Sequence, residues 1–199
     1  FKTKIFYSSS SEVFGSRKRI VTEDSPRLIS NNYALTKNIN ETLINYYRKF
    51  YNINACYGIL FNHDSKLRKD KFMYKILYNY FKIKNFSKPL KINNINDEKF
   101  RSNADILVKV IWKILNNQII NDYIISSDKV YSIKKLINYF AKKNQIHLRW
   151  IKQGNKIFGL NKNKIIISSF DKKNTYFLKP SLKKLKNEIN INLADLRLF

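Results

Sequence analysis

The sequence predicts an α/β fold, and three observations lead to this class. Short apolar runs that suit strands alternate with longer segments of helical periodicity, which is the pattern of βαβ units with parallel strands. The run at 53–61 is apolar almost throughout, as expected of a strand covered on both faces. With 199 residues and a hydrophobic share of 44%, the chain can form one to one and a half domains with an ordinary core.

Each predicted element follows from a local pattern. Helices are predicted where apolar residues recur every three or four positions, and strands where short apolar runs lie between polar residues. The helix at 33–51, for example, carries Leu35, Ile39 and Leu43 along one face. In chain order the predicted elements are a strand at 4–9, a polar loop at 15–29, a helix at 33–51, a strand at 53–61, a helix at 71–83, a strand at 90–92, a loop at 93–99, a helix at 103–115, a strand at 123–126, a helix capped by Ser132 that ends at 143, a strand at 147–150, a loop at 152–164 and a strand at 164–168.

The composition is strongly basic. Lys and Arg outnumber Asp and Glu by 39 to 14, for a formal charge of +25, and aromatic residues make up 15% of the chain. These values also fit a nucleic-acid-binding protein. However, Lys, Asn, Ile, Tyr and Phe dominate every segment, which indicates a general compositional bias. Nucleic-acid binding is therefore expected to be non-specific only.

Several classes of protein are not expected. No run approaches the 18 apolar residues of a membrane-spanning helix, so we expect no membrane partner and a cytoplasmic location. Cys56 is the only cysteine, which rules out an internal disulfide, and its apolar neighbours predict a buried, inert thiol. No metal site is predicted.

Four residues near the start of the chain form a candidate redox site. Tyr33 and Lys37 are four positions apart on a predicted helix, so their side chains lie on one face. A free phenol is a poor base at neutral pH, but an adjacent ammonium stabilises the phenolate, which can then accept a proton from an alcohol. Ser10 can donate a hydrogen bond to the same substrate oxygen. Glu12, two residues further along the predicted strand, can remove a carbon-bound proton.

Three motifs in this order resemble the extended short-chain dehydrogenases that act on sugar nucleotides, and most closely the GDP-mannose 4,6-dehydratase family. The third motif is the most specific, because it resembles that family's G-I-L-F-N-H-E-S. The matching stretches are Phe6-Tyr-Ser-Ser-Ser-Ser-Glu-Val-Phe-Gly15, Tyr33-Ala-Leu-Thr-Lys37 and Gly58-Ile-Leu-Phe-Asn-His-Asp-Ser65. The resemblance covers nearly the whole chain and fades after about Pro180.

The resemblance implies the C-terminal part of a Rossmann-type parallel sheet with a smaller α/β substrate lobe. Residues 1–62 and 103–127 would be the remnant of an NADP-binding lobe, and residues 63–102 and 128–199 the nucleotide-sugar-binding lobe. The glycine-rich turn that holds the cofactor pyrophosphate has no counterpart among the chain's four glycines. We therefore expect a fragment, or a truncated gene product, of a dehydratase-like protein.

The resemblance also implies roles for particular residues. The substrate would be a nucleotide sugar, with GDP-mannose the first choice, and the cofactor NADP; a homo-oligomer is left open. The implied catalytic residues are Ser10, Glu12, Tyr33 and Lys37, the implied cofactor-binding residues are Tyr33, Lys37, His63 and Arg68, and the implied substrate-binding residues are Asn62 and Lys179.

The nucleotide-recognition segments depart from the family pattern more than the catalytic ones. Where the family reads R-D-W-G-H-A-K-D-Y, the chain has Lys99 to Leu107 without the leading arginine, and Lys179 to Lys184 lacks two carboxylates of R-P-A-E-V-D. A lysine cannot reproduce a bidentate guanidinium contact with phosphate. Three alternatives therefore stay open, namely a dehydratase completed by a half outside this chain, a non-catalytic remnant, and a basic nucleic-acid-binding protein.

Overall fold

The computed structural model describes residues 3–15, 19–68, 72–173 and 178–199. In chain order the strands and helices are β1 (Ile5–Ser10), a 3-10 helix (Ser11–Phe14), β2 (Arg19–Val21), α1 (Asn32–Tyr51), β3 (Ala55–Leu60), β4 (Asn62–Asp64), α2 (Met73–Ile83), β5 (Leu90–Ile92), β6 (Glu98–Asn103), α3 (Ala104–Leu115), β7 (Tyr123–Ile125), β8 (Val130–Ser132), α4 (Ile133–Lys143), β9 (Arg149–Gln153), β10 (Lys156–Asn161), β11 (Lys164–Phe170), β12 (Leu178–Pro180), α5 (Lys183–Ile189) and a second 3-10 helix (Leu193–Leu196).

The chain divides into two compact units. The first comprises Phe1–His63, Phe100–Lys129 and Tyr176–Phe199, and the second comprises Asp64–Lys99 and Val130–Thr175. The chain passes between the units within three residues of the lobe boundaries predicted at 62, 102 and 127. The segment 178–199 belongs to the first unit, whereas the prediction assigned it to the sugar-nucleotide lobe. Its strand β12 pairs in parallel with β2, and its helix α5 packs on β7 and α3.

The first unit is built on a parallel sheet with the strand order β1-β3-β7. Strand β3 lies in the centre, and its residues are almost all buried, as the continuous apolar run predicted. Helices α3 and α5 bury their apolar faces against this sheet and so form the core of the unit. The buried members of this core are Cys56, Leu107, Val110, Ile114, Tyr123, Ile125, Leu185, Ile189 and Leu196.

The second unit has a four-stranded sheet with the order β5-β11-β10-β9. Strands β9, β10 and β11 form an antiparallel meander, and β5 joins the edge of β11 in parallel. Helices α2 and α4 pack together, with the rings of Tyr74 and Phe140 edge to face and their centroids 5.0 Å apart. The described residues also form two smaller sheets, the pair β2-β12 and the sheet β4-β6-β8.

The predicted α/β class is confirmed, and every long predicted element is present with its ends within three residues. Ser132 caps α4 as predicted, because its hydroxyl accepts a hydrogen bond from the Lys135 amide at 3.1 Å. The expectation of loops at 15–29, 93–99 and 152–164 was wrong in part. These segments contain β2, the start of β6 and the middle strand β10 of the meander, because three-residue strands and strands flanked by Asn and Lys carry little periodicity of their own.

Helix α1 also differs from an ordinary amphipathic helix. Its apolar residues Leu35, Ile39 and Leu43 are between 44% and 49% exposed. Only Ala34 and Glu41 are fully buried along its 20 residues. The side of α1 that meets the sheet is therefore partly polar, which matters for the site below. Among the helices of the described residues, none combines the length and the hydropathy that a membrane span requires.

Candidate active site

Strand β1 leads directly into the first part of the site. Ser10 is the last residue of β1, and its hydroxyl caps the following 3-10 helix by accepting a hydrogen bond from the Glu12 amide at 3.3 Å. Val13 and Phe14 are fully buried and anchor this turn, which leaves Glu12 exposed. The expectation that Glu12 continues the strand was therefore wrong. The 3-10 turn places Glu12 two residues beyond the strand end, with its amide bonded to the Ser10 hydroxyl.

Gly15 ends this turn for a steric reason. Its φ is +68°, and a Cβ there would lie 2.8 Å from the carbonyl oxygen of Leu28. A side chain at this position would therefore be strained by both its backbone conformation and its surroundings. The turn that carries Glu12 thus depends on a glycine.

Tyr33 and Lys37 lie at the start of α1. Asn31 caps the helix through its side-chain oxygen, which accepts a hydrogen bond from the Ala34 amide at 2.8 Å. The Lys37 ammonium donates a hydrogen bond to the carbonyl of Ser8 at 2.7 Å. The same nitrogen is 5.5 Å from the centroid of the Tyr33 ring. Tyr33 itself is 55% exposed, so its phenol is open to a ligand.

The Lys37 hydrogen bond links the start of α1 to the strand that ends at Ser10. Ser8 precedes Ser10 by two residues on β1, and helix α1 contacts both β1 and the 3-10 turn. Tyr33 and Lys37 therefore lie on the helix that packs against the strand and the turn carrying Ser10 and Glu12, near the carboxyl end of β1. Ligands of open α/β folds bind at this end of the strands.

A buried ionic group behind these residues was not foreseen. Glu41 is 3% exposed, and its carboxylate accepts hydrogen bonds from the Ser9 hydroxyl and from Arg27, whose Nε lies 2.8 Å away. One signal in the sequence could have found it, since Glu41 continues the four-residue spacing of Tyr33 and Lys37 along the helix.

The predicted cofactor ligands beyond β3 have structural partners. Nδ1 of His63 is 3.1 Å from the carbonyl oxygen of Phe61, and His63 is the last residue of the first unit in this part of the chain. Arg68 belongs to the second unit, where its Nε is 3.6 Å from Oδ1 of buried Asp64 and its Cζ is 3.9 Å from the Phe72 ring centroid. Their cofactor contacts stay predictions.

The predicted substrate ligands lie on short strands. Asn62 is half-buried at the start of β4. Lys179 is exposed in the middle of β12, opposite Ile20 of β2. Lys99, which replaces a family arginine, lies 3.9 Å from Asp97 in an exposed pair. Their contacts with a substrate also stay predictions.

The thiol of Cys56 lies in the core of the first unit. Cys56 is 1% exposed, and burial, assisted by the nearby Asp122 carboxylate, raises the pKa of its thiol to about 11. This agrees with a buried thiol that does not act as a nucleophile. Within the described ranges, no three His, Cys, Asp or Glu side chains are grouped so that they could hold a metal ion.

Comparison with known proteins decides the family. Residues 1–191 match the family model described as GDP-mannose 4,6 dehydratase. The chain belongs to this family. The GDP-mannose 4,6-dehydratase of Vibrio cholerae serotype O1 is 31% identical over 162 residues, which cover 77% of the chain and 42% of that protein. The GDP-mannose 4,6 dehydratase of Dictyostelium discoideum is 27% identical over 158 residues, or 75% of the chain and 43% of that protein. The chain thus spans about two fifths of the length of these dehydratases.

Solved structures show the same fold at lower identity. RMD from Pseudomonas aeruginosa, complexed with NADPH, aligns with a TM-score of 0.76 and 18% identity, over 98% of this chain and 64% of that one. A dTDP-glucose 4,6-dehydratase from Bacillus anthracis, in complex with NAD, aligns with a TM-score of 0.71 and 14% identity, over 94% of this chain and 56% of that one. This chain therefore has the Rossmann-type fold of these two proteins.

Proposed function

We propose that this chain carries the catalytic residues of a GDP-mannose 4,6-dehydratase and works together with a cofactor-binding half that lies outside the 199 residues. The observation that carries the proposal is the Lys37 ammonium. It is hydrogen-bonded to Ser8 at 2.7 Å and lies 5.5 Å from the ring of the exposed Tyr33. This arrangement places a fixed positive charge near an exposed phenol at the start of α1, and we propose that this phenol takes the proton in the oxidation of an alcohol.

The residues present fit one half of a nicotinamide cofactor, for which we propose NADP. The exposed phenol of Tyr33 and the ammonium of Lys37 can both hydrogen-bond the hydroxyls of a nicotinamide ribose. His63 and Arg68 are proposed as further contacts. Gly15 and Gly58 are the only glycines before Gly154, and neither belongs to a glycine-rich turn that could hold a pyrophosphate. The phosphate cradle must therefore come from residues outside this chain.

The proposed reaction divides the work among four side chains. Tyr33 takes the proton of the sugar 4-hydroxyl, while Ser10 donates a hydrogen bond to the same oxygen. Oxidation at C4 acidifies the hydrogen on C5, and Glu12 removes that proton. The C6 hydroxyl then leaves with a proton as water, which gives a 4-keto-5,6-ene. Return of a hydride to C6 and of the proton on Glu12 to C5 would complete the 4-keto-6-deoxy sugar. When bound, the nicotinamide accepts the C4 hydride and returns a hydride to C6, so no cofactor is consumed.

The substrate is proposed to be a nucleotide sugar, with Asn62 and Lys179 among its contacts. Lys179 is exposed on β12 and so is available to a phosphate. As an ammonium it acts as a point charge and not as a bidentate ligand. We therefore propose GDP-mannose as the first substrate to test, with other nucleotide diphosphate sugars as the comparison.

A chimera tests this function, in which residues 1–199 replace the matching segment of the Vibrio cholerae relative. Tyr33→Phe is expected to lower turnover by about 10²-fold or more, because the base for the first proton is lost. Tyr47→Phe is the matched control, since Tyr47 is also exposed on α1 but lies 14 residues further along the helix. The control should retain the parent rate. Release of water and formation of the 4-keto-6-deoxy product are followed by mass spectrometry.

Glu12→Gln distinguishes the two proton transfers in the same chimera. Oxidation at C4 should still occur, so a 4-keto hexose that retains its C6 hydroxyl is expected in amounts up to one per active site. Elimination of water at the parent rate would show that Glu12 is not the second base. A folded chimera that turns over no nucleotide sugar at all would instead support the non-catalytic remnant.

A further inference from the structure

The buried carboxylate of Glu41 joins three segments of the chain. It accepts hydrogen bonds from the Ser9 hydroxyl of β1 and from Nε of Arg27, which lies at 2.8 Å in the segment before α1. Arg27 in turn donates through Nη1 to the carbonyls of Glu23 at 2.9 Å and Ser25 at 2.7 Å. Glu41 and its partners thus link a strand, a helix and a connecting segment.

Glu41 shares a helix face with two proposed catalytic residues. Tyr33, Lys37 and Glu41 are spaced four residues apart, so they lie along one stripe of α1 about 12 Å long. Lys37 bonds to Ser8 and Glu41 bonds to Ser9, which are consecutive residues of β1. These two hydrogen bonds therefore fix the position of α1 along β1. The contact between Glu41 and Ser9 is buried, whereas the contact between Lys37 and Ser8 is exposed.

The segment between β2 and α1, which contains Glu23 and Arg27, is also held by contacts with β7 and with the 3-10 turn. The carboxylate of Glu23 accepts a hydrogen bond from the Ile124 amide of β7 at 2.9 Å. The Arg27 guanidinium lies 5.0 Å from the ring centroid of Phe14, which belongs to the turn that carries Glu12. Movement of Glu41 would therefore disturb the start of α1 and the 3-10 turn together.

Stability alone does not account for a charge at this position. A buried ion pair is weak grounds for stability, since well-packed apolar residues of similar volume often do as well or better. A buried pair that is fully hydrogen-bonded can instead specify one arrangement of the elements it joins.

We propose that Glu41 is a positioning residue for the catalytic site, acting through Ser9 and Arg27 to set the place of Tyr33 and Lys37 beside Ser10. This inference rests on the proposed function for its catalytic meaning. Its geometric part concerns only where Lys37 and Tyr33 are held, and it is testable in the 199-residue chain without turnover.

The test measures the surroundings of Lys37 in Glu41→Gln. In the parent, nuclear Overhauser contacts are expected from the end of the Lys37 side chain to the rings of Tyr7 and Tyr33, which lie 4.9 and 5.5 Å from its nitrogen. The variant should lose or weaken these contacts. The rate of Lys37 acetylation, divided by the rate for exposed Lys49 of the same helix, should rise about fivefold in the variant. This factor corresponds to loss of one hydrogen bond of typical strength, here the bond from Lys37 to the Ser8 carbonyl.

Asp122→Asn is the matched control. Asp122 receives two hydrogen bonds from Arg48, at 3.1 and 2.7 Å, and so ties the far end of the same helix by another ionic contact. This variant should lower the urea midpoint but leave the Lys37 contacts and the acetylation rate at parent values. If Glu41→Gln does not fold, Ser9→Ala decides, because it deletes only the tie to β1 and keeps the Arg27 ion pair.

The outcomes separate the two claims. The positioning role would be overturned if the Lys37 contacts are unchanged in folded Glu41→Gln or Ser9→Ala. It would also be overturned if Asp122→Asn changes these contacts as much as Glu41→Gln does. In the chimera, Glu41→Gln is expected to lower kcat by about 10²-fold with little change in KM, as for a misplacement of about 1 Å. If Glu41→Gln displaces Lys37 but the chimera keeps the parent kcat, then the position set by Glu41 does not matter for catalysis. The proposed function would remain intact. If the parent chimera is inactive, the Lys37 contacts still decide the geometric claim.

Discussion

At the scale of single residues, burial decides which polar groups react and which only hold structure. Glu41 and Cys56 are both almost completely buried, whereas Tyr33 and Glu12 are exposed. The buried carboxylate is compensated by a hydroxyl and a guanidinium. The buried thiol stays neutral, because burial raises its pKa to about 11. The exposed groups are the ones that a substrate can reach.

The Cys56 thiol gives a prediction about reactivity. At about pH 8 the folded chain should react with a thiol reagent only as fast as it opens, because the thiol is both buried and protonated. Added urea should speed the reaction in step with unfolding. A cysteine introduced at exposed Thr42, in a Cys56→Ala background, should react at once. Rapid labelling of Cys56 in the folded protein would contradict its assignment as an inert core residue.

The Asp128 carboxylate gives a prediction about pH. Hydrogen bonds from the Arg197 guanidinium, at 2.8 and 2.7 Å, hold the pKa of Asp128 below its ordinary value of 3.8. A lowered pKa in the folded state stabilises the fold above 3.8, and this contribution is lost as the pH falls through the folded value. The side chains of Arg197 and Asp128 are 43% and 34% exposed, so the pair is expected to add only about 0.2–1 kcal/mol to the free energy of unfolding.

Asp128→Asn should therefore lower the free energy of unfolding near pH 7 and have a diminishing effect below the ordinary pKa. Urea unfolding of parent and variant across this range provides the measurement. A difference that stays constant with pH would show that the asparagine acts through packing and not through the lost charge.

At the scale of elements, the central strand β3 shows how closely the first unit is packed. A Cβ at Gly58 would lie 2.4 Å from Cζ of Phe6 and 3.0 Å from Cδ1 of Ile125. Both contacts are side chains of the neighbouring strands β1 and β7. The glycine thus allows two large apolar residues to meet over the middle of the sheet.

Gly58→Ala is accordingly expected to lower the free energy of unfolding by about 1–3 kcal/mol, as for overpacking of a core. The Phe6→Leu, Gly58→Ala double variant should recover part of this loss, because the shorter side chain makes room for the methyl group. Denaturant unfolding measures both effects. If the two substitutions prove simply additive, the contact between these positions is not the cause.

At the scale of the whole molecule, the excess of positive charge is the dominant property. The net charge of +25 is spread over both units, and the acidic groups that are buried or paired serve mainly as internal partners for Arg. Such a surface attracts anions over a distance of about 10 Å at 0.1 M salt. Sugar nucleotides and nucleic acids are both included.

Any affinity for nucleic acid should consequently be independent of sequence and fall steeply between about 50 and 200 mM salt. Titration of labelled duplexes of unrelated sequence at both salt concentrations provides the measurement. A complex that selects one sequence and survives at the higher salt would favour the nucleic-acid-binding alternative.

The amino-acid sequence by itself determined the features that depend on near neighbours. The helix that begins after Ser132 and the shared face of Tyr33 and Lys37 follow from spacings of three or four residues, which the α-helix converts directly into contacts. The apolar run of β3 predicted a strand covered on both faces. These elements were correct because the interactions that define them lie within one turn or one strand.

Only the tertiary structure decided how distant segments use these elements. Ser9 and Glu41 are 32 residues apart, and β12 pairs with β2 from the opposite end of the chain. No local pattern specifies such partners, since a glutamate in a helix is ordinarily exposed and a three-residue strand has no periodicity to detect. Burial of Glu41 and the placement of 178–199 in the first unit depend on what each segment meets after folding, which is a property of the assembled core.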